Sequence, residues 1–323
     1  MKISVIIPTR NRHAKLARTL ECLMDQDLAA TDYEIIIVDD GSEPPVRLPP
    51  RTTAPAVKLI RLNGVERSAA RNAGAEAATG QILLFLDDDL RIGRNFITAH
   101  LDAHSRWPEV LAVGNTRLPQ DALKTPFGRF RQKLERNGMP EDEGPVPMRN
   151  FCTAANMSIS KGLFRELGGF DASMTGAEDQ DLALRHTARG RTIIFIPGAD
   201  SIHDDSALDI RSYCRRSEQG MRSMVAFCRR HPAWPDNIER ERINGPIRLC
   251  REPLGISLRK LIKRVMAISP ALRFLFAAAQ LVERLAPESR LLDSTYRLLL
   301  GIHILRGYRD GLKDDSSIAL RAR

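Results

Sequence analysis

Cysteine pairing is missing from this chain. Its five cysteines, at positions 22, 152, 214, 228 and 250, form no CxxC pair and are odd in number, which argues against a disulfide framework and fits a reducing compartment. Long apolar runs are missing too. The longest stretches, Phe274–Ala279 and Leu298–Leu305, fall far short of the roughly 20 residues that span a bilayer. Met1-Lys2 leads straight into Ile3–Ile7, which Pro8 stops before a secretory signal core can form. A cytoplasmic location is the expectation. No GxGxxG follows the first apolar run, which disfavours a dinucleotide oxidoreductase. No zinc-finger, helix-turn-helix or RNP pattern appears, so nucleic acid is not an expected partner. Repeats and low-complexity segments are absent as well.

The chain has 323 residues, 43% of them hydrophobic and 28% charged, enough to bury a substantial core. Its charge is lopsided. Residues 207–323 carry 23 Lys and Arg against 12 Asp and Glu, whereas the first 206 carry 26 against 28. The excess of +9 therefore lies in a basic C-terminal appendage on a near-neutral body.

The first 115 residues alternate strand and helix. Ile3–Ile7, Glu34–Val38, Val57–Arg61 and Ile82–Leu86 are short β-branched runs bounded by turn formers. Helical stretches over about 12–25, 65–79 and 93–106 lie between and after them. This order predicts an α/β fold, a mostly parallel sheet with helices on both faces. Ligands of such sheets bind beyond the carboxyl ends of the strands. Those ends are polar here: Pro8-Thr9-Arg10-Asn11-Arg12, Asp39-Asp40-Gly41-Ser42 and Asp87-Asp88-Asp89. Helix caps and turns account for Ser42 and one Asp. Three consecutive carboxylates repel one another, and a divalent cation is the usual remedy.

From 116 to 150 the pattern weakens, and Asn137–Pro147 reads as a loop. A second organised block has a strand over Phe151–Ser160, the turn Gly168-Gly169-Phe170-Asp171, and a helix opened by Gly176-Ala177-Glu178-Asp179-Gln180-Asp181. A strand over Ile193–Ile196 is expected to end at Pro197-Gly198, with His203 in the next turn. Beyond Ala207 the chain is helical almost to its end.

Taken together these pieces resemble the inverting family 2 glycosyltransferases with a GT-A fold. The matching segments are Val5–Arg12, Ile37–Ser42, Ser68–Gly74, Phe85–Asp89, Ala155–Ile159, Gly168–Asp171 and Gly176–Arg185, and the likeness covers about residues 1–205. It implies a Rossmann-like, mostly parallel mixed sheet. Residues 1–115 would form the nucleotide-sugar-binding half, 116–206 the acceptor-binding catalytic half, and 207–323 a helical region. It also implies a nucleotide-diphosphate-sugar donor, with UDP or dTDP favoured, and a hydroxyl acceptor on a glycan, lipid-linked or small molecule.

Residue by residue, Asp39 is similar to the aspartate that accepts the uracil N3–H, with Pro8 and Thr9 lining the base pocket and Arg10 beside them. Arg71 would contact base or phosphates, Asp87 and Asp88 the donor, and Asn156 the floor of the sugar pocket. Asp89 and His203 would hold Mn²⁺ or Mg²⁺. Asp179 would be the general base, with Glu178 gripping hydroxyls. Asp181 and Arg185, four apart on one helix face, form a structural pair. Trp107, Phe127 and Trp234 are candidates for stacking on sugars, although core packing suits each better. Two alternatives stay open. A sugar-1-phosphate nucleotidyltransferase would want a glycine-rich first loop, which Pro8–His13 lacks; the other is a non-catalytic nucleotide-sugar-binding protein.

In the last third, Leu258, Leu261, Ile262, Val265 and Met266 follow helical spacing, with Arg259, Lys260, Lys263 and Arg264 opposite. Such a helix either docks its apolar stripe inward or rests on an anionic membrane surface.

Overall fold

A strand buried on both faces reads as a near-continuous apolar run, and its few polar residues need partners, as Glu34 finds in Ser4 and Lys58. Strands β1 (Ile3–Thr9) and β2 (Tyr33–Asp40) are buried at every residue, and β1 pairs in parallel with β2 along its length. In the computed structural model, which describes residues 1–48, 55–148, 152–205, 208–234, 236–249 and 251–321, β1 sits inside a nine-stranded mixed sheet. Helix α1 (His13–Met24) connects β1 to β2, which pairs in parallel with β3 (Ala56–Leu62). Helix α2 (Arg67–Ala77) leads to β4 (Ile82–Leu86), parallel to β1 on its other side. Gly74 lets α2 lie close against this sheet. A Cβ there would stand 2.4 Å from Ile6 Cγ2 and 3.2 Å from Val38 Cγ2.

The second half adds β5 (Leu90–Ile92), α3 (Phe96–Arg106), β6 (Leu111–Arg117), α4 (Pro126–Arg136), β7 (Gly144–Val146), β8 (Asn156–Ser160), α5 (Lys161–Glu166), α6 (Glu178–Thr187) and β9 (Ile193–His203). The strand order is β3-β2-β1-β4-β8-β6-β9-β5, with β7 also on β9. The pairs β4–β8, β6–β8, β5–β9 and β7–β9 are antiparallel, which makes the sheet mixed, as expected.

Strands β5 and β6 and helix α4 are not among the expected elements, and three further details differ from the sequence-based expectation. β7 lies in the stretch read as a loop, its Gly-Pro-Val too short to show a period. The strand expected over Phe151–Ser160 is β8, beginning at Asn156; Phe151 lies outside the described residues. Pro197-Gly198 does not end β9. The pairing with β6 steps from Gly114–Ile196 to Asn115–Asp200, so Pro197, Gly198 and Ala199 bulge out and the strand resumes. His203 is thus the last residue of β9, opposite Leu90 of β5, and not part of a turn.

Contacts divide the chain into two compact units: Met1–Gln120 with Glu135–Ser206, and Asp121–Leu134 with Ala207–Arg323. The second contains most of α4 with α7 (Ile210–Arg230), α8 (Asp236–Asn244), α9 (Leu254–Met266), α10 (Ser269–Leu285) and α11 (Arg290–Arg321). Its core holds Phe127, Phe130, Leu272, Phe276, Tyr296 and Leu299. Phe127 is therefore a core aromatic and not a sugar-stacking surface. Trp107 packs partly buried against the core of the first unit.

Helix α9 overturns the inward-docking expectation. Leu258, Leu261, Ile262 and Val265 are exposed, whereas Ser257 and Lys260 are buried. Lys260 Nζ pairs with Glu252 and donates to the Pro246 carbonyl at 2.9 Å, while Arg264 Nη2 donates to the Gly245 carbonyl at 3.2 Å. The polar side docks because these groups satisfy one another. Among the described residues no single helix is long and apolar enough to cross a membrane; α9 and α10 meet that test only together, across a 98° bend.

The close seat of α2 gives a stability prediction. Gly74→Ala is expected to lower unfolding free energy by about 1–3 kcal/mol in a urea titration, because the added methyl meets side chains packed between helix and sheet. An unchanged midpoint would show that Ile6 yields freely.

Candidate active site

The loops after β1 and β4 meet at the rim of the first unit. Thr9 Oγ1 donates to Asp88 Oδ2 at 2.6 Å. Arg12 Nη1 donates to Asp89 Oδ2 at 2.7 Å and lies 3.3 Å from Asp88 Oδ1. Lys15 Nζ, in the first turn of α1, reaches Asp89 Oδ2 at 3.2 Å and the Asp204 carbonyl at 2.6 Å. The Thr19 hydroxyl lies 3.0 Å from the carbonyls of both Asp88 and Leu90, anchoring the acidic loop from beneath. Burial pushes the Asp88 carboxyl up to about 6, with Asp89 and Asp87 adding to the rise against Thr9 and Arg12.

A second link runs from β4 to α6. Arg71 on α2 is only 2% exposed, and it donates through Nη2 to Asp87 Oδ1 at 2.9 Å and through Nη1 to Glu178 Oε1 at 2.8 Å. Its guanidinium carbon lies 5.8 Å from the centre of the Phe170 ring. Burial alone would raise the Asp87 carboxyl, yet Arg71, Arg67 and His203 hold it below the ordinary range. Glu178 and Asp179 open α6, where an N-terminus favours carboxylates. Asp179 accepts from Gln180 N at 2.9 Å and Ala154 N at 3.2 Å. Burial and the neighbouring Glu178 push its carboxyl up to about 6, against the pull of Arg71.

Asp87, Asp89 and His203 offer ligand atoms that all lie within 4.8 Å of one another. His203 Nε2 is 3.3 Å from Asp89 Oδ1, a buried oxygen with no hydrogen-bond donor. His203 Nδ1 faces Asp205 Oδ2 at 3.5 Å. Two carboxylates and an imidazole around an unsatisfied buried oxygen suit a hard or borderline dication.

Two other expected site residues, Asn156 and Asp39, stand beside this cluster in the sheet, opposite Leu86 and Thr9. Asn156 is 1% exposed; its amide nitrogen contacts the Asn115 and Ala199 carbonyls and Ser201 Oγ, and its oxygen accepts from His100. It braces β6, β8, β9 and α3, its polar atoms engaged within the protein. Asp39 is equally buried. Its oxygens accept from Ser42 N at 2.8 Å, Val46 N at 3.0 Å and Arg61 Nη1 at 2.7 Å. Burial would raise its carboxyl, but these donors and the charge of Arg61 keep it low. It shapes the loop after β2. Pro8 is buried beside Val38 in the β1–β2 pairing. Arg10 is exposed, its guanidinium beside Gly64. Asp181 and Arg185 pair at 2.7 Å, and Arg185 Nη2 also ties down the Gly169 carbonyl at 2.8 Å. Arg12 and Lys15 escaped the sequence-based assignment of roles. Their signal was the basic character of the turn after β1 and the first turn of α1, next to a run of acids.

The family model for glycosyl transferase family 2 matches residues 4–167. The chain belongs to this family. Among curated relatives, the validoxylamine A glucosyltransferase of Streptomyces hygroscopicus subsp. limoneus is 30% identical over 219 residues, covering 58% of this chain and 48% of that protein. The pre-mycofactocin glycosyltransferase of Mycobacterium tuberculosis is 27% identical over 235 residues, 71% of this chain and 48% of that protein. The family 2 chain thus spans about half the length of these relatives. Among solved structures, the mannosyltransferase PcManGT of Pyrobaculum calidifontis, in complex with GDP-Man and Mn2+, superposes with a TM-score of 0.59 at 17% identity, over 94% of this chain and 86% of that one. That likeness establishes the GT-A fold.

Cation binding at this cluster is testable without catalysis. Mn²⁺ at 100 times its Kd is expected to stabilise the protein by about 2.7 kcal/mol, read as a rise in Tm. Asp89→Asn is expected to lose most of that rise. Equal shifts in both proteins would place the cation elsewhere.

Proposed function

We propose that this protein is a metal-dependent, inverting glycosyltransferase that moves a sugar from a nucleotide-diphosphate donor to a hydroxyl acceptor. The observation that carries the reading is the bridge made by one buried guanidinium, Arg71, between the candidate cation ligand Asp87 and the acid pair Glu178–Asp179. Leaving group and base thereby lie on two sides of one charge network. Family membership supports glycosyl transfer over nucleotidyl transfer.

In this scheme Asp87, Asp89 and His203 hold Mn²⁺ or Mg²⁺, which when bound supplies Lewis-acid cover for the departing diphosphate. Arg12 and Lys15 add positive charge beside the same carboxylates and favour a diphosphate at this rim. Asp179 takes the proton from the acceptor hydroxyl. The acceptor oxygen bonds to the anomeric carbon as the bond from that carbon to the diphosphate breaks, and the electron pair leaves with the diphosphate. Attack from the side opposite the leaving group inverts the centre. Glu178, held by Arg71, lies next to Asp179 and raises its basicity. Asp39 and Asn156 have their polar atoms engaged within the protein, so the proposal specifies the diphosphate and not the base or the sugar. The acceptor is a hydroxyl of a glycan, a lipid-linked or a small molecule.

Asp179→Asn is expected to bind the nucleotide sugar and Mn²⁺ as the parent does while kcat falls about 10²–10⁴-fold, measured by nucleotide release. Transfer at the parent rate would remove Asp179 from the role of base. The acidic limb of kcat/KM gives an independent check. Because the base must be ionised and its carboxyl sits near 6, the rate is expected to level off above about pH 7 and to fall tenfold per unit well below pH 6. A limb near pH 4 would indicate an ordinary, solvated carboxylate.

A further inference from the structure

A water-soluble helix normally turns its apolar stripe inward, and α9 does the reverse. Leu254, Leu258, Leu261, Ile262 and Val265 stand between 41% and 77% exposed, on one helical face at spacings of three and four. Ile268 at the bend is 60% exposed, and on α10 Phe274, Leu281 and Leu285 are 71%, 56% and 76% exposed. Scattered surface leucines need no explanation, but five exposed apolar residues on one face of a 13-residue helix, followed by more at the bend and on α10, do. Meanwhile the buried side of α9 holds Lys260, paired with Glu252. The helix is therefore committed to this orientation by a polar lock, and simple rotation of its stripe inward would bring Lys260 out of that pair.

We propose that α9 and α10 form a bent, in-plane anchor that seats these apolar side chains in the interface of an anionic bilayer. Charge complementarity selects the occupant. Over residues 248–290 there are nine Lys and Arg against three Glu, and exposed Arg251, Arg259, Arg273 and Arg284 accompany the apolar residues. A second copy of the chain would set these cations against their own kind, whereas anionic headgroups neutralise them. Length selects the mode. Helix α9 has 13 residues and α10 has 17, and the 98° bend between them suits a pair lying on the surface better than one crossing it. The placement is independent of the proposed reaction.

The full chain is tested by co-sedimentation with phosphatidylcholine vesicles and with vesicles containing about a third phosphatidylglycerol. Binding to the anionic vesicles is expected, at least ~10-fold weaker to the neutral ones and weakened by salt. Leu258→Ser, Leu261→Ser and Val265→Ser combined should reduce binding at least ~10-fold without lowering Tm, since all three are exposed. Arg259→Glu should reduce it in proportion to charge. Phe274→Trp should shift its fluorescence to the blue with anionic vesicles and be quenched by brominated acyl chains. Failure of the intact chain to sediment with anionic vesicles overturns the proposal, as does a concentration-dependent dimer that the triple substitution dissolves. A fall in Tm for the triple variant would also overturn it, because the face would then be packed within the protein.

Discussion

The guanidinium of Arg71 lies in the interior with a carboxylate on each side, one from the end of β4 and one from the start of α6. A charge at that depth persists only with partners, and removing one partner of a buried pair typically costs about 3–5 kcal/mol. The arrangement therefore fixes more than itself. It holds the Asp87 carboxyl below its ordinary range where it faces Asp89 and His203, and it fixes Glu178 beside Asp179. The close seat of α2, which Gly74 permits, is what brings Arg71 within reach of both. The neighbouring elements α2 and β4 are thus locked through one charge to α6, 107 residues along the chain from Arg71, and the chemistry proposed for the rim depends on that lock.

Much of the first unit was legible in the sequence because its signals are local. The β-branched runs of β1, β2 and β4 and the acids that end β2 and β4 announce a parallel sheet with a polar rim. The acids at the start of α6 are legible for the same reason. What was not legible depends on partners far along the chain. Asp39 and Asn156 sit where donor-binding residues are expected, yet their atoms are engaged by Arg61 and the Ser42–Val46 loop in one case, and by His100, Asn115 and Ala199 in the other. No local pattern distinguishes a carboxylate facing a ligand from one that closes its own loop. Arg12 and Lys15 were overlooked for the converse reason: a cation in a turn looks solvated until the acid opposite it is placed.

The helical unit teaches a related lesson about amphipathicity. The spacing of Leu258, Leu261, Ile262 and Val265 identifies a stripe but says nothing about which way it faces. That is decided by Lys260, Glu252 and the carbonyl of Pro246, a set whose mutual satisfaction outweighs the usual preference. The excursion Asp121–Leu134 had no marker at all. Phe127 and Phe130 leave one half of the sheet-bearing sequence to join Tyr296, a contact across more than half of the chain.

The bulge in β9 has one more consequence. Because the side chains of a strand alternate between faces, the three residues Pro197–Ala199, being odd in number, exchange the parity of all that follows: Ile194 and Ile196 share their side with Ala199, and so with Ser201 and His203. A change of bulge length absorbed within the bulge would leave His203 opposite Leu90, whereas one that slipped the following segment by a single residue against its neighbours would turn the imidazole to the far side of the sheet. The side on which the candidate cation ligand stands is thus set by the pairing that resumes at Asp200.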